Sequence, residues 1–166
     1  MSRQKSLEKQ LLSHLDAAYN LARWLTRQPE SAEDLVHDAY IKAFAGIKDF
    51  RGEEPKAWLL TIVRNTCYTW LKKNSAGSLQ EYQEPLHDHL ITSPNSEFLL
   101  LQNSNQLRVR TALESISNGY REILILREFE ELSYEEISNV MGIPIGTVMS
   151  RLSRAREALK ETYEKE

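Results

Sequence analysis

The chain has 166 residues, 41% of them hydrophobic, enough to bury the core of one ordinary domain or two small ones, which excludes a disordered or fibrous chain. Gly (6) and Pro (5) are sparse and no stretch sustains apolar and polar alternation, so an all-α fold is expected and strands are not. The net charge of −3 conceals a division: residues 1–74 carry 12 Lys/Arg against 9 Asp/Glu, residues 75–106 carry 4 acids and no cation, and residues 107–166 carry 9 cations against 11 acids.

The N-terminus, Met1 to Gln10, is polar and charged rather than a signal peptide, and no apolar run approaches the roughly 20 residues that span a bilayer. A cytoplasmic protein without direct membrane insertion is therefore expected. A first helical domain is predicted over 8–74. Within it, Ala32 to Phe44 places Leu35, Val36, Ala39, Ala43 and Phe44 on one stripe and leaves Asp34, His37, Asp38 and Lys42 facing outward, an amphipathic helix with an acidic outer face. A second pattern from Pro55 to Lys73 opens on Pro, turns Trp58, Leu59, Ile62 and Val63 inward and ends in Lys72-Lys73. Cys67, the lone cysteine, excludes an internal disulfide and has no Cys partner for a metal or redox pair, and reads as a packing residue. Trp24, Trp58 and Trp70 read as packing residues too, although stacking on melted DNA is the functional alternative.

From Asn74 the turn formers Ser75-Ala76-Gly77-Ser78, Pro85 and Ser93-Pro94-Asn95-Ser96 define a flexible linker, 75–96. His87 and His89 fall in it, too closely spaced and too poorly accompanied for a metal site. A second helical domain is predicted over 97–164. Asn118-Gly119 punctuates its first two helical patterns. Ser133-Tyr134-Glu135-Glu136 then forms a capping box, the short helix it opens stops at Gly142, and after Ile143-Pro144 a new helix runs from Thr147 to about Tyr163. A short helix, a glycine turn and a second helix constitute a helix-turn-helix signature.

At about 100° per residue, Val148, Leu152, Ala155 and Leu159 share one stripe and must face the core. Ser150, Ser153 and Arg154 then point away from it, Thr147 lies beside them, and Met149, Arg151 and Arg156 flank them. Between Pro144 and Arg156 there are three Arg and no acid, so this face is positive on a domain that is net negative. Arg can offer two donors to a guanine edge, and Ser or Thr can contact bases or phosphates. An isolated amphipathic helix with such residues is more often a solvated surface, but the capping box, the glycine turn and the acid-free face together favour a DNA-reading helix.

The segments Leu132-Ser133-Tyr134-Glu135-Glu136-Ile137, Gly142-Ile143-Pro144-Ile145-Gly146-Thr147-Val148 and Ser150-Arg151-Leu152-Ser153-Arg154-Ala155-Arg156 closely resemble the C-terminal domain of the extracytoplasmic-function (ECF) sigma factors of bacterial RNA polymerase. Independently, Asp34-Leu35-Val36-His37-Asp38-Ala39-Tyr40-Ile41-Lys42-Ala43-Phe44, Asp49-Phe50-Arg51-Gly52, and Trp58-Leu59 leading to Arg64-Asn65-Thr66 resemble the N-terminal domain of the same family. The resemblance implies an alternative sigma factor that binds core RNA polymerase and directs promoter-specific initiation. Its N-terminal domain would dock on the polymerase clamp and capture a flipped −10 base, and its C-terminal domain would read the −35 duplex. Its partners would be core polymerase, promoter DNA and an anti-sigma protein.

Residue by residue, the resemblance places Asp34, His37, Asp38 and Lys42 at the polymerase contact, with His37 where a Gln is usual. It places Arg64, Asn65, Thr66 and Cys67, with Lys72 and Lys73, at the −10 element, and breaks the Pro55 to Lys73 helix near Asn65 by an interhelical loop. For the −35 element it gives Thr147, Met149, Ser150, Arg151, Ser153, Arg154 and Arg156. Met149 stands where Arg or Lys is usual and Ser153 where a larger residue is frequent, which shifts the preferred −35 sequence away from the family's common one.

No HExxH, glycine-rich phosphate loop or nucleophile elbow occurs, so catalytic, metal and cofactor sites are not expected. The rivals are a conventional helix-turn-helix regulator, against which the first domain argues, and a polymerase-associated adaptor that keeps the fold without starting transcription.

Overall fold

A computed structural model describes residues 2–52, 54–74 and 104–165, and every regular element among them is helical. The N-terminal half comprises α1 (Ser2–Leu12), α2 (Leu15–Thr26), α3 (Pro29–Ala45), a 3-10 turn (Ile47–Asp49) and α4 (Pro55–Asn74). The linker expected at 75–96, with His87 and His89, and the expected opening of the second domain at residue 97 lie outside the described residues. The C-terminal half comprises α5 (Ser104–Ser115), α6 (Asn118–Leu124) continued by a π-helical turn (Ile125–Phe129), α7 (Tyr134–Met141) and α8 (Ile145–Lys165).

The helix ends follow from local chemistry. Both α3 and α4 open on proline, whose missing N–H falls where no intrahelical acceptor exists. Ser117 caps α6 by accepting from the Tyr120 N–H. At α7 the capping box is complete: the Ser133 hydroxyl accepts from the Glu136 N–H at 3.0 Å and the Glu136 carboxylate accepts from the Ser133 N–H at 2.8 Å. Gly142 ends α7 in the left-handed region (φ 69), returning its N–H to the Ser138 carbonyl.

Leu21 and Ala22 of α2, Ala39 of α3, and Leu60 and Val63 of α4 are fully buried and form the N-terminal core. The Tyr40 hydroxyl ties α3 to α1 by donating to the Leu11 carbonyl at 2.6 Å. In the C-terminal half, Leu113, Ile123, Ile137, Val148, Leu152 and Ala155 bring α5 to α8 together. Buried Arg121 closes the end of α5, donating to the Leu113 carbonyl at 2.8 Å and the Ile116 carbonyl at 2.9 Å. The halves dock: α7 packs on α4 and α6 on α2, and one hydrophobic cluster runs through both.

Two expectations are corrected. The helix from Pro55 is not broken near Asn65 but runs continuously to Asn74, because the stretch contains neither Gly nor an internal Pro and Leu60, Val63 and Cys67 hold one buried face. The longest break between helices in this half lies instead between α3, which ends at Ala45, and α4, which begins at Pro55. Phe44, placed on the core stripe of α3, is 37% exposed, whereas Leu35, Val36, Ala39 and Ala43 are buried as the periodicity requires.

Candidate nucleic-acid and polymerase interfaces

The helix-turn-helix is held from within. The Ser138 hydroxyl, on α7, donates to the Ile143 carbonyl at 2.5 Å, and the N–H groups of Gly142 and Ile143 both return to the Ser138 carbonyl, which fixes the angle at which α8 leaves the turn. Val148, Leu152 and Ala155 of α8 are buried, and Leu159 is half-buried at the end of the same stripe. The opposite face is open: Met149 (52% exposed), Ser150, Ser153 and Arg154 are exposed, with Thr147 and Arg151 half-buried beside them. Arg156 is exposed but engaged, donating through Nε and Nη2 to the Glu128 carboxylate at 3.0 and 2.7 Å. These two bonds, both to Oε2, hold its guanidinium still more firmly protonated than usual. With both partners nearly half exposed, the pair contributes less than about 1 kcal/mol and is open to exchange for a phosphate.

Along α4 the predicted residues divide. Asn65 is exposed, as are Lys72 and Lys73 in the last turn, where cations complement the helix dipole. Thr66 and Cys67 are buried, at 5% and 0% exposure, and neither can meet a base from its place in the core. The Thr66 hydroxyl donates to the Ile62 carbonyl at 2.7 Å and accepts from Lys42 Nζ at 3.2 Å, so Lys42 is tied across to α4. Burial pushes the Cys67 thiol up to about 12, and the Glu122 carboxylate pushes the same way. Arg64 lies over the Tyr68 ring at 4.5 Å and forms an ion pair with Glu122 of α6.

On α3, Asp34, His37 and Asp38 are all exposed and form an acidic strip. Beside it runs a groove of about 710 Å³ between α2 and α3, lined by Leu12, Leu15, His37, Ile41 and Phe44 among others. Leu12, Leu15 and Ile41 are 48–55% exposed, an apolar surface that the stripe analysis did not find. Ile41 was its signal: a large apolar residue off the core stripe of an otherwise regular helix. A second missed feature is the α3–α4 loop. Phe50 packs on Trp58 at 4.8 Å between ring centroids, and with Arg51 and Thr61 they line a cavity of about 620 Å³ whose far wall is α7.

Comparison with known proteins gives the family. Residues 11–77 match the family described as Sigma-70 region 2, and residues 106–159 match Sigma-70, region 4. The RNA polymerase sigma factor YlaC of Bacillus subtilis is 30% identical over 99% of this chain and 96% of its own. The chain belongs to the ECF sigma factors of RNA polymerase. The ECF sigma-E factor of Escherichia coli is 33% identical over 76% of the chain and 70% of its own length. In a co-crystal structure, the sigma factor RpoE in complex with the anti-sigma factor NepR from Bartonella quintana superimposes with a TM-score of 0.74 at 32% identity, covering 96% of this chain and 98% of that one.

The protein is thus an alternative sigma factor that directs promoter-specific transcription initiation, a regulatory subunit that works with core RNA polymerase on promoter DNA. The region 2 match contains the acidic strip of α3 and all of α4, and the region 4 match contains the helix-turn-helix and most of α8. Chemically, the open face of α8 offers donors and an apolar patch to a groove. In the arrangement seen here two cations of α4, Lys56 and Arg64, meet the carboxylates of Glu130 and Glu122 in the C-terminal half, while Lys72 and Lys73 are exposed.

Proposed function

We propose that this sigma factor reads the −35 element with the outer face of α8, reads the −10 element with α4 and meets polymerase with α3. The observation that carries the −35 assignment is the joint exposure of Ser150, Ser153 and Arg154 on an acid-free stretch, presented by a capped α7 and a glycine turn. Arg154 has the reach and paired donors for a guanine edge, Thr147, Ser150, Arg151 and Ser153 serve bases or phosphates, and Met149 gives apolar contact to a thymine methyl. Arg156 exchanges Glu128 for a phosphate. On α4, Asn65 offers amide groups to an extruded base while Arg64, Lys72 and Lys73 hold the strand, and Thr66 and Cys67 support them from beneath. Asp34, His37 and Asp38 suit a basic polymerase surface, with Lys42 bracing α3 on α4.

A protein inhibitor of the anti-sigma kind, such as the one bound to the Bartonella quintana relative, completes the set of partners. No described helix is long and apolar enough to cross a membrane, and the factor acts in the cytoplasm and at the nucleoid, with a membrane-bound inhibitor as the means of holding it elsewhere.

The test is run-off transcription with core polymerase on a panel of −35 point variants at two salt concentrations, comparing wild type with Arg154→Ala. A lost bidentate guanine contact of about 1–3 kcal/mol lowers initiation about 5-fold to 150-fold and relaxes preference at one position. A lost phosphate contact weakens all promoters alike and lowers the salt slope by about one unit. Unchanged initiation across the panel, with circular dichroism confirming the fold, removes Arg154 from the interface.

A further inference from the structure

Two large apolar side chains at the leading end of α8 face away from the core. Ile145 is 46% exposed and Met149 52% exposed, and among the described residues neither joins the hydrophobic cluster, although Ile143, two residues before Ile145, packs against it. The turn is what parts the two isoleucines. The Ser138 hydroxyl holds the Ile143 carbonyl, and the Val148 N–H returns to the Pro144 carbonyl at 3.0 Å, so α8 starts with Ile145 already turned outward. Four residues apart, Ile145 and Met149 are neighbours on one flank of the helix. The front of the same stretch is small: Gly146, Ser150 and Ser153 are exposed, and a Cβ at Gly146 would meet no atom within 4 Å. Small residues there let the helix axis come close to base edges, with Met149 reaching forward on one side and Arg154 on the other.

A single exposed apolar side chain is ordinary on a protein surface, but this pair is contiguous with the open, acid-free face of a region 4 helix-turn-helix. Ile has no hydrogen-bonding group and the Met thioether is a weak acceptor, so neither can read a purine edge or a cytosine amino group by polar contact. Among the four bases only thymine offers an apolar group in the major groove, the methyl on C5. Cβ atoms four residues apart on a helix are about 5–6 Å apart and base pairs stack about 3.4 Å apart, so the pair spans two successive steps. We infer that Ile145 and Met149 form a reader of 5-methylpyrimidines: each takes the C5 methyl of one of two successive pyrimidines in the −35 element, thymine or 5-methylcytosine alike. The inference rests on the assignment of α8 to the −35 duplex and specifies what its leading flank recognises. Cytosine methylation at those two positions is then a change that the factor feels.

The experiment is run-off transcription by the full chain with core polymerase on promoters whose −35 thymines are replaced one at a time by deoxyuridine, which lacks only the methyl. Initiation should fall about 3-fold to 5-fold at each of two adjacent positions, the order expected when one buried methyl is lost. At those positions 5-methylcytosine should exceed cytosine by the same factor. The variants assign the contacts: Met149→Ala should abolish the difference between thymine and deoxyuridine at one position and Ile145→Ala at the other, while Met149→Leu keeps it. Circular dichroism should show the same helix content in all three. Deoxyuridine as good as thymine throughout, or 5-methylcytosine no better than cytosine, overturns the inference. So does a methyl effect that persists undiminished in both alanine variants, because the stiffness of the duplex would then be its source. Arg154→Ala separates the two levels. If it weakens initiation while deoxyuridine is silent, α8 reads the −35 element without methyl contacts; if neither Arg154→Ala nor any −35 base change alters initiation, the assignment of α8 itself falls.

Discussion

Cys67 sits in the middle of α4 with no exposed surface, and its thiol is held neutral because a thiolate there would be desolvated and would face the Glu122 carboxylate. A neutral buried thiol is a poor nucleophile. Native protein at mildly alkaline pH should therefore resist a maleimide that labels the denatured chain completely, and rapid labelling of native protein would place Cys67 outside the core. The sign of the pH dependence follows from the raised value. In the unfolded chain the thiol ionises near 9 and in the folded chain at about 12, so its contribution is intact below 9 and is lost as pH rises between those values. Denaturant titrations of wild type and Cys67→Ala across that window check it: the wild type should lose stability more steeply. As a packing residue Cys67 was legible from composition, since a lone cysteine has no partner. Its grouping with Asn65 at a DNA surface came from resemblance alone, and adjacency in sequence puts neighbouring helical residues on different faces.

At the scale of elements, the helix-turn-helix was the most legible part because its signals are local. Ser133 and Glu136 are three residues apart and complete each other's hydrogen bonds, and Gly142 occupies the one conformation there that other residues resist. Ser133→Ala should cost about 1 kcal/mol through the lost cap. Gly142→Ala should cost about 1–2 kcal/mol, and because an added Cβ would meet no atom within 4 Å, the loss is backbone strain rather than a clash. Urea denaturation followed by circular dichroism measures both. A Gly142→Ala variant as stable as wild type would mean that the turn can abandon its left-handed residue, and α8 would then not be fixed in direction. The helix break near Asn65 failed for the complementary reason: Pro55–Asn74 contains no local breaker, and only the resemblance supplied one. Phe44 and Ile41 show the limit of periodicity, which locates the stripe facing this chain's own core but is silent about a second apolar surface.

For the whole molecule, sequence separated two helical domains of opposite charge but left their docking unread. Glu122 was the obstacle. It lies between Arg121 and Ile123 in an ordinary amphipathic pattern, and its burial arises only when Arg64 and Tyr68, more than fifty residues earlier, are brought against it. Docking leaves the surfaces unequally available: the acidic strip of α3, proposed for polymerase, is open, while α4, proposed for the −10 strand, is partly covered. That difference makes the proposed α3 contact separable from DNA recognition. Asp38→Arg reverses an exposed charge on α3, and exposed substitutions of this kind change stability by under about 0.5 kcal/mol. The variant should stay folded and as compact as wild type, yet compete poorly for core polymerase against a labelled wild-type factor. Its deficit should shrink as salt rises, because an exposed charge contact is screened over about 10 Å at moderate ionic strength. Competition equal to wild type at low salt would move the polymerase contact off the acidic strip and onto the neighbouring groove of Leu12, Leu15, Ile41 and Phe44, where Ile41→Asp would then be the disabling change.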